Sequence, residues 1–175
     1  EFRRVLFRSE RIRLTVARVR DRLPQEKLAG LRIELRRCPP AHCGFGSGTQ
    51  LALATAAGMC RLSGRDVPRA VELAGWIQRG ARSALGIHGF EQGGFLLEAG
   101  KLPDQAAGCL IARAEMPHDW RWVLVRPRSQ EGISGTSEMS AFGQLPPMSS
   151  SLTNALDRKS TRLNSSHSSV SRMPS

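Results

Sequence analysis

Residues 31 to 62 read LRIEL, then RRCPPAHCGFGSGTQ, then LALATAAGMCRL, and this stretch constrains the fold more than any other. Leu31, Ile33 and Leu35 alternate with Arg32 and Glu34, the period-two pattern of a half-buried strand. Cys38-Pro39-Pro40 ends that strand, since proline has no N–H for an internal ladder. The small, helix-prone residues from Leu51 onward then predict a helix. The order strand, glycine loop, helix predicts an anion site. Gly44, Gly46 and Gly48 let backbone approach a ligand, Ser47 and Thr49 offer hydroxyls, His42 and Gln50 flank them, and the helix start supplies N–H groups with a positive partial charge. Phosphate or pyrophosphate is the expected ligand; a merely flexible turn is the alternative. No Lys precedes the last Ser/Thr, so this is not a Walker A loop, and GFGSG does not fit GxGxxG.

The remaining segments predict an α+β fold. Ile12, Val16, Val19 and Leu23 form one stripe of an amphipathic helix over 11–23, and its arginines are expected on a solvated face. VPRAVELAGWIQRG predicts a second helix with Asp66 as N-cap and Pro68 in the first turn. Residues 80–94 are too glycine-rich to predict a regular element. Strands are expected over 95–99, 109–113 and 122–125, and SGTSEMSAFGQL predicts a short helix capped by Ser134. Trp76, Trp120 and Trp122 are expected to anchor packing. No internal repeat is visible.

The chain has 175 residues, with 26 Lys and Arg against 15 Asp and Glu, a net charge of +11. Such basicity suggests a polyanionic partner, but its placement argues otherwise. The ends, 1–9 and 157–175, resemble the translated strands of a sequencing adapter and carry +5 of the charge. They are expected to be artefact, the second disordered, around an internal fragment at 10–156. Nine of that fragment's 19 basic residues fall between Arg11 and Arg37, leaving a nearly balanced surface elsewhere. Neither a nucleic-acid nor a membrane partner is therefore expected, and no apolar run approaches the roughly 18 residues of a span. Cys38, Cys43, Cys60 and Cys109 form no CxxC, so no metal site is expected, and reduced thiols fit a cytoplasmic location.

HCGFGSGTQLALATAAG resembles the second signature loop of the GHMP kinase superfamily, Pro-x-x-x-Gly-Leu-Gly-Ser-Ser followed by a small-residue helix, with Phe45 in place of Leu and Gly48 in place of the second Ser. GSGTQ, the run from Ala81 to Phe95, DWRWVLVRP, GISG and AFGQLPP together resemble one branch, the β-ribofuranosylaminobenzene 5′-phosphate synthases. The resemblance covers nearly all of residues 31–147. It implies an incomplete two-layer GHMP N-terminal domain, with at most the start of a second α+β domain. It also implies a transferase reaction in which 4-aminobenzoate or a 4-hydroxybenzoate relative attacks phosphoribosyl pyrophosphate, releasing pyrophosphate and carbon dioxide early in tetrahydromethanopterin synthesis. Mg²⁺ is implied as a cofactor with no ligand assigned. The alternative is a small-molecule kinase using ATP at the same loop.

His88 and Glu91 stand where kinases of the superfamily often carry a catalytic Asp followed by Gln, which weakens the kinase reading. They are the candidate catalytic pair, His88 moving protons and Glu91 orienting it or binding metal; a packed His and a solvated Glu are the alternative. Arg79 and Arg82 flank Gly80 and can hold a 5′-phosphate or a carboxylate through bidentate contacts.

Overall fold

In a computed structural model, the described residues are 2–39, 43–102, 104–125, 136–152 and 154–155. They divide into two units, Glu1–Gly132 and Ile133–Ser175. The first contains α1 (Phe2–Arg20), a single 3-10 turn (Gln25–Leu28), α2 (Ser47–Leu62), α3 (Ala70–Trp76), α4 (Leu85–Gln92) and the strands β1 (Phe95–Glu98) and β2 (Leu110–Ala114). The second contains α5 (Thr136–Gly143), where a short helix is expected; its proposed cap, Ser134, lies outside the described residues.

The core of the first unit is built on α2. Ala52, Leu53, Thr55, Ala56, Met59 and Cys60 are buried along it, the spacing of one broad helical stripe. Alanines at 52 and 56 keep that surface low, so α1 and α4 pack directly against it. Val19 and Leu23 close one side, while Leu73, Ile77 and Ile87 close the other. The Thr15 and Thr55 hydroxyls, both buried, donate to the carbonyls of Arg11 and Leu51 four residues earlier, so neither is left unsatisfied.

The expected stripe on α1 is partly right: Val19 and Leu23 are buried and Ile12 and Val16 half-buried, but the helix spans 2–20 rather than 11–23. Its arginines are not simply solvated. Arg8 donates to the Pro39 carbonyl at 2.9 Å, Arg18 to the Ile77 carbonyl at 2.8 Å, and beyond the helix Arg22 lies 5.5 Å from the centroid of the Trp76 ring. Each tethers α1 or the following turn to a neighbouring segment.

Residues 31–39 run without a ladder among the described residues, although their alternation predicts a strand. The pattern is a demand for a partner: Ile33 and Leu35 stay more than a third exposed where no second strand covers them. Trp122–Val125 likewise forms no strand, with Val123 86% and Val125 89% exposed. Trp120 and Trp122, expected as packing anchors, are exposed, their ring centroids 6.1 Å apart; only Trp76 is packed against the core.

Strands β1 and β2 arise close to where alternation places them and pair antiparallel, Phe95 opposite Ala114 and Leu97 opposite Ala112. The register then slips, setting Glu98 opposite Leu110. Such a bulge re-aims side chains. Leu96 and Glu98 are the half-buried residues of β1, and both meet α4.

Helix α4 itself is unexpected, because Gly86 and Gly89 within it and Gly80, Gly93 and Gly94 around it argue against regular structure. Tertiary contacts outweigh that weak propensity. Glu98 accepts hydrogen bonds from the backbone N–H of Ala84 (2.8 Å) and Leu85 (3.0 Å) and from the Ser83 hydroxyl (2.8 Å), capping the start of the helix. Ile87 and His88 bury one face. At the other end Arg113 donates to the carbonyls of Gln92 and Gly93.

Candidate functional site

Helix α2 starts at Ser47 because Gly46 adopts φ +61°, a left-handed conformation costly to a residue with a Cβ. The Gly46 carbonyl accepts the N–H of Thr49 (3.0 Å) and of Gln50 (3.1 Å). Residues 47 and 48 precede these two bonds in the first turn of the helix. Gly44, at φ +77°, makes the preceding bend and is exposed. His42 lies outside the described residues.

Two of the expected anion-site residues also face α4. The Gln50 side-chain amide donates to the Gly86 carbonyl at 2.7 Å, and the Thr49 methyl would sit 3.3 Å from a Cβ at position 86. Thr49 and Gln50 thus hold α4 against the loop-bearing helix. Ser47 stands at the first position of the helix, directly after Gly46. Arg11 brings a charge that sequence reasoning places in solvent: its guanidinium carbon lies 3.1 Å from where a Cβ of Gly48 would stand. The clue is Gly48 itself, a glycine inside a helix, whose missing side chain leaves room for a group packed against the backbone.

His88 is 8% exposed, and its Nε2 lies 2.9 Å from the Gly108 carbonyl. A carbonyl only accepts, so Nε2 carries the proton and Nδ1 is the basic nitrogen of the neutral ring. Gly108 is tightly enclosed, since any Cβ there would collide with the Glu98 carboxylate. His88, Glu98 and Gly108 therefore form one connected support beneath α4.

Glu91, one turn after His88, faces a different neighbour. Its carboxylate accepts from Arg69 Nε at 3.3 Å and from the N–H of Ala70 at 3.4 Å, the first residue of α3. The Arg69 hydrogen bond holds its carboxyl below the usual carboxylate range, against the opposing effect of burial. The expected N-cap of this helix, Asp66, lies well ahead of it; Arg69 occupies the cap position without a side-chain bond, and Glu91 supplies the acceptor from across the packing interface. Glu91 makes no hydrogen bond to His88 among the described residues, though the two lie close enough for the His88 charge to act on its carboxyl.

Arg79 and Arg82 lie close enough for their charges to interact but differ in exposure. Arg79 is half-buried in the wall of a cleft of about 370 Å³ between α1 and the turn after α3, whereas Arg82 is exposed. Burial, followed by the nearby charge of Arg82, pulls the Arg79 guanidinium below its ordinary pKa without discharging it.

No group of three His, Cys, Asp or Glu side chains suited to a metal occurs among the described residues. Glu91 and Glu98 are already committed to helix starts, and so do not fit a protein-held Mg²⁺. The cysteines are free thiols, and burial pushes that of Cys60 up. No helix among the described residues is long and apolar enough to cross a membrane.

Comparison with known proteins gives one family and three relatives. Residues 10–95 match the family model described as GHMP kinases N terminal domain. A protein named beta-ribofuranosylphenol 5'-phosphate synthase from Methanothermobacter thermautotrophicus is 36% identical over 121 residues, covering 62% of this chain and 36% of the relative. Proteins of that name from Methanocaldococcus jannaschii and Archaeoglobus fulgidus are 30% identical over 153 residues and 31% over 131, covering 79% and 68% of this chain and 45% and 41% of themselves. The chain thus spans less than half the length of these relatives. No solved structure matches.

Proposed function

Residues 10–95 belong to the GHMP kinase N-terminal domain family, and on that premise we propose that the whole protein transfers a phosphoribosyl group from phosphoribosyl pyrophosphate to an aromatic acid. The observation that carries this reading is the glycine loop closed by Gly46 at the start of α2, with Ser47 and the Arg11 cation beside it. The relatives' shared name supports it and favours 4-hydroxybenzoate over 4-aminobenzoate, since a ribofuranosylphenol retains the hydroxyl.

In the proposed reaction the C1–O bond to pyrophosphate breaks and C1 bonds to the ring carbon bearing the carboxylate. That carboxylate then leaves as carbon dioxide, returning its bonding pair to the ring. Pyrophosphate departs as an anion, which the positive end of α2 and the Arg11 guanidinium beside Gly48 are placed to stabilise. Electron release from the phenol increases the acidity of its O–H, and His88 Nδ1 is the candidate to hold that proton and return it. Thr49 and Gln50 keep α4, and with it His88, against the loop. Mg²⁺, where used, would be carried largely by the substrate phosphates, as is usual for this ion. The product would enter tetrahydromethanopterin synthesis in the cytoplasm.

The test is to incubate the longer protein with phosphoribosyl pyrophosphate and either acid. Equal release of pyrophosphate and carbon dioxide is expected, faster with 4-hydroxybenzoate. ATP consumption on an alcohol, with neither product released, would establish the kinase instead.

A further inference from the structure

The cleft beside α2 has a composition that the loop chemistry does not use. Its wall includes Arg11, Arg18 and Arg79 against a single carboxylate, Glu10, with Thr15 and Gln78 between them. At about 370 Å³ it falls at the lower end of small-molecule sites, roughly 300–1,000 Å³. Guanidinium groups bind phosphate through charge-assisted, bidentate hydrogen bonds, so an arginine-lined cleft of this size suits a small anion.

The three arginines are not equivalent. Arg18 already donates to the Ile77 carbonyl and so fixes the turn that carries Gln78 and Arg79. Gln78, at φ +57°, is the only non-glycine residue with positive φ among the described residues, a strained conformation that directs the chain around the cleft. Thr15 spends its hydroxyl on the Arg11 carbonyl. Arg79 is half-buried and makes no side-chain hydrogen bond or ion pair among the described residues. Arg11 borders both this cleft and Gly48, and so connects it to the glycine loop.

We propose that this cleft is an anion subsite separate from the glycine loop, that it takes a phosphomonoester, and that Arg79 and Arg11 are its donors while Arg18 positions the turn. Assigning the group to the 5′-phosphate of the phosphoribosyl donor rests on the synthase reading; the affinity of the cleft for a phosphomonoester does not. A donor with pyrophosphate at one end and phosphate at the other would then touch Arg11 from both sides.

The experiment is arginine modification of the 175-residue chain by phenylglyoxal, read by peptide mass spectrometry, with ribose 5-phosphate, inorganic phosphate or 4-hydroxybenzoate present. Ribose 5-phosphate should slow modification of Arg11 and Arg79 at least tenfold, inorganic phosphate less, while Arg36 reacts unchanged. Unchanged rates at Arg11 and Arg79 under saturating ribose 5-phosphate would overturn the proposal. Equal protection by 4-hydroxybenzoate would also overturn it, by making this the carboxylate site. Calorimetric titration adds a second reading: Arg79→Gln should weaken ribose 5-phosphate binding at least tenfold and Arg79→Lys less, and equal affinities in all three proteins would contradict the assignment. If the longer protein releases no pyrophosphate yet shows Arg79 protected, the synthase reading fails and the cleft stands.

Discussion

Gln50 and Glu91 show how single polar side chains set helices in place. The bond from Gln50 to the Gly86 carbonyl is a neutral, half-buried one, and Gln50→Ala should cost about 1 kcal/mol in chemical denaturation. Its larger effect should be on α4, visible as faster amide exchange in residues 85–92. Glu91 makes a pH-dependent contribution. Arg69 depresses its carboxyl, so the associated stability is present above the ordinary carboxylate pKa of about 4.3 and is lost as pH falls through the depressed folded value. Glu91→Gln should therefore lower the urea midpoint at pH 7, with the gap to the wild type closing in strong acid. A gap that widened on acidification would contradict the sign. In the candidate site, backbone form was legible in the sequence: the glycine spacing predicts a loop before a helix, and Gly44 and Gly46 make that turn at positive φ. The partners of Gln50, Glu91 and Arg11 were not, because each is 20 or more residues distant and is chosen by packing.

At the scale of elements, α4 is the instructive case. Its glycines conceal it, yet Ala84, Ile87 and Phe90 recur at helical spacing, a weak signal that Ile87 and Ala84 honour by being fully buried. What stabilises the helix is the carboxylate delivered by the bulge in β1. Glu98→Gln keeps one acceptor and loses the charge at the helix start, and should cost about 1–2 kcal/mol, while Glu98→Ala should cost more. Thermal unfolding followed by far-UV circular dichroism would measure both; equal melting temperatures in all three proteins would mean that the cap contributes nothing. Strands β1 and β2 were legible because both partners of the ladder lie in this chain. Residues 31–35 have the same alternation, but strand formation needs hydrogen bonds from a neighbour, and a pattern cannot reveal whether that neighbour is present.

For the molecule as a whole, the exposed apolar surface matters most. Phe95, Leu97 and Ile111 lie open on the hairpin, Ile33 and Leu35 on the extended segment, and Trp120, Trp122, Val123, Leu124 and Val125 contribute further apolar groups. Unpaired extended segments and contiguous apolar area promote association. The 175-residue chain should form oligomers or aggregates at micromolar concentration by light scattering and should bind a hydrophobic dye while folded; a monodisperse monomer that ignores the dye would contradict this. The tryptophans divide along the same line. Trp76 is packed beneath the Arg22 guanidinium, while Trp120 and Trp122 are already in water. Emission from the latter pair should be red-shifted from the outset and sensitive to association, so a spectral change that survives Trp120→Phe and Trp122→Phe would report the opening of the helical core alone. The molecule thus carries separate optical signals for coming together and for coming apart.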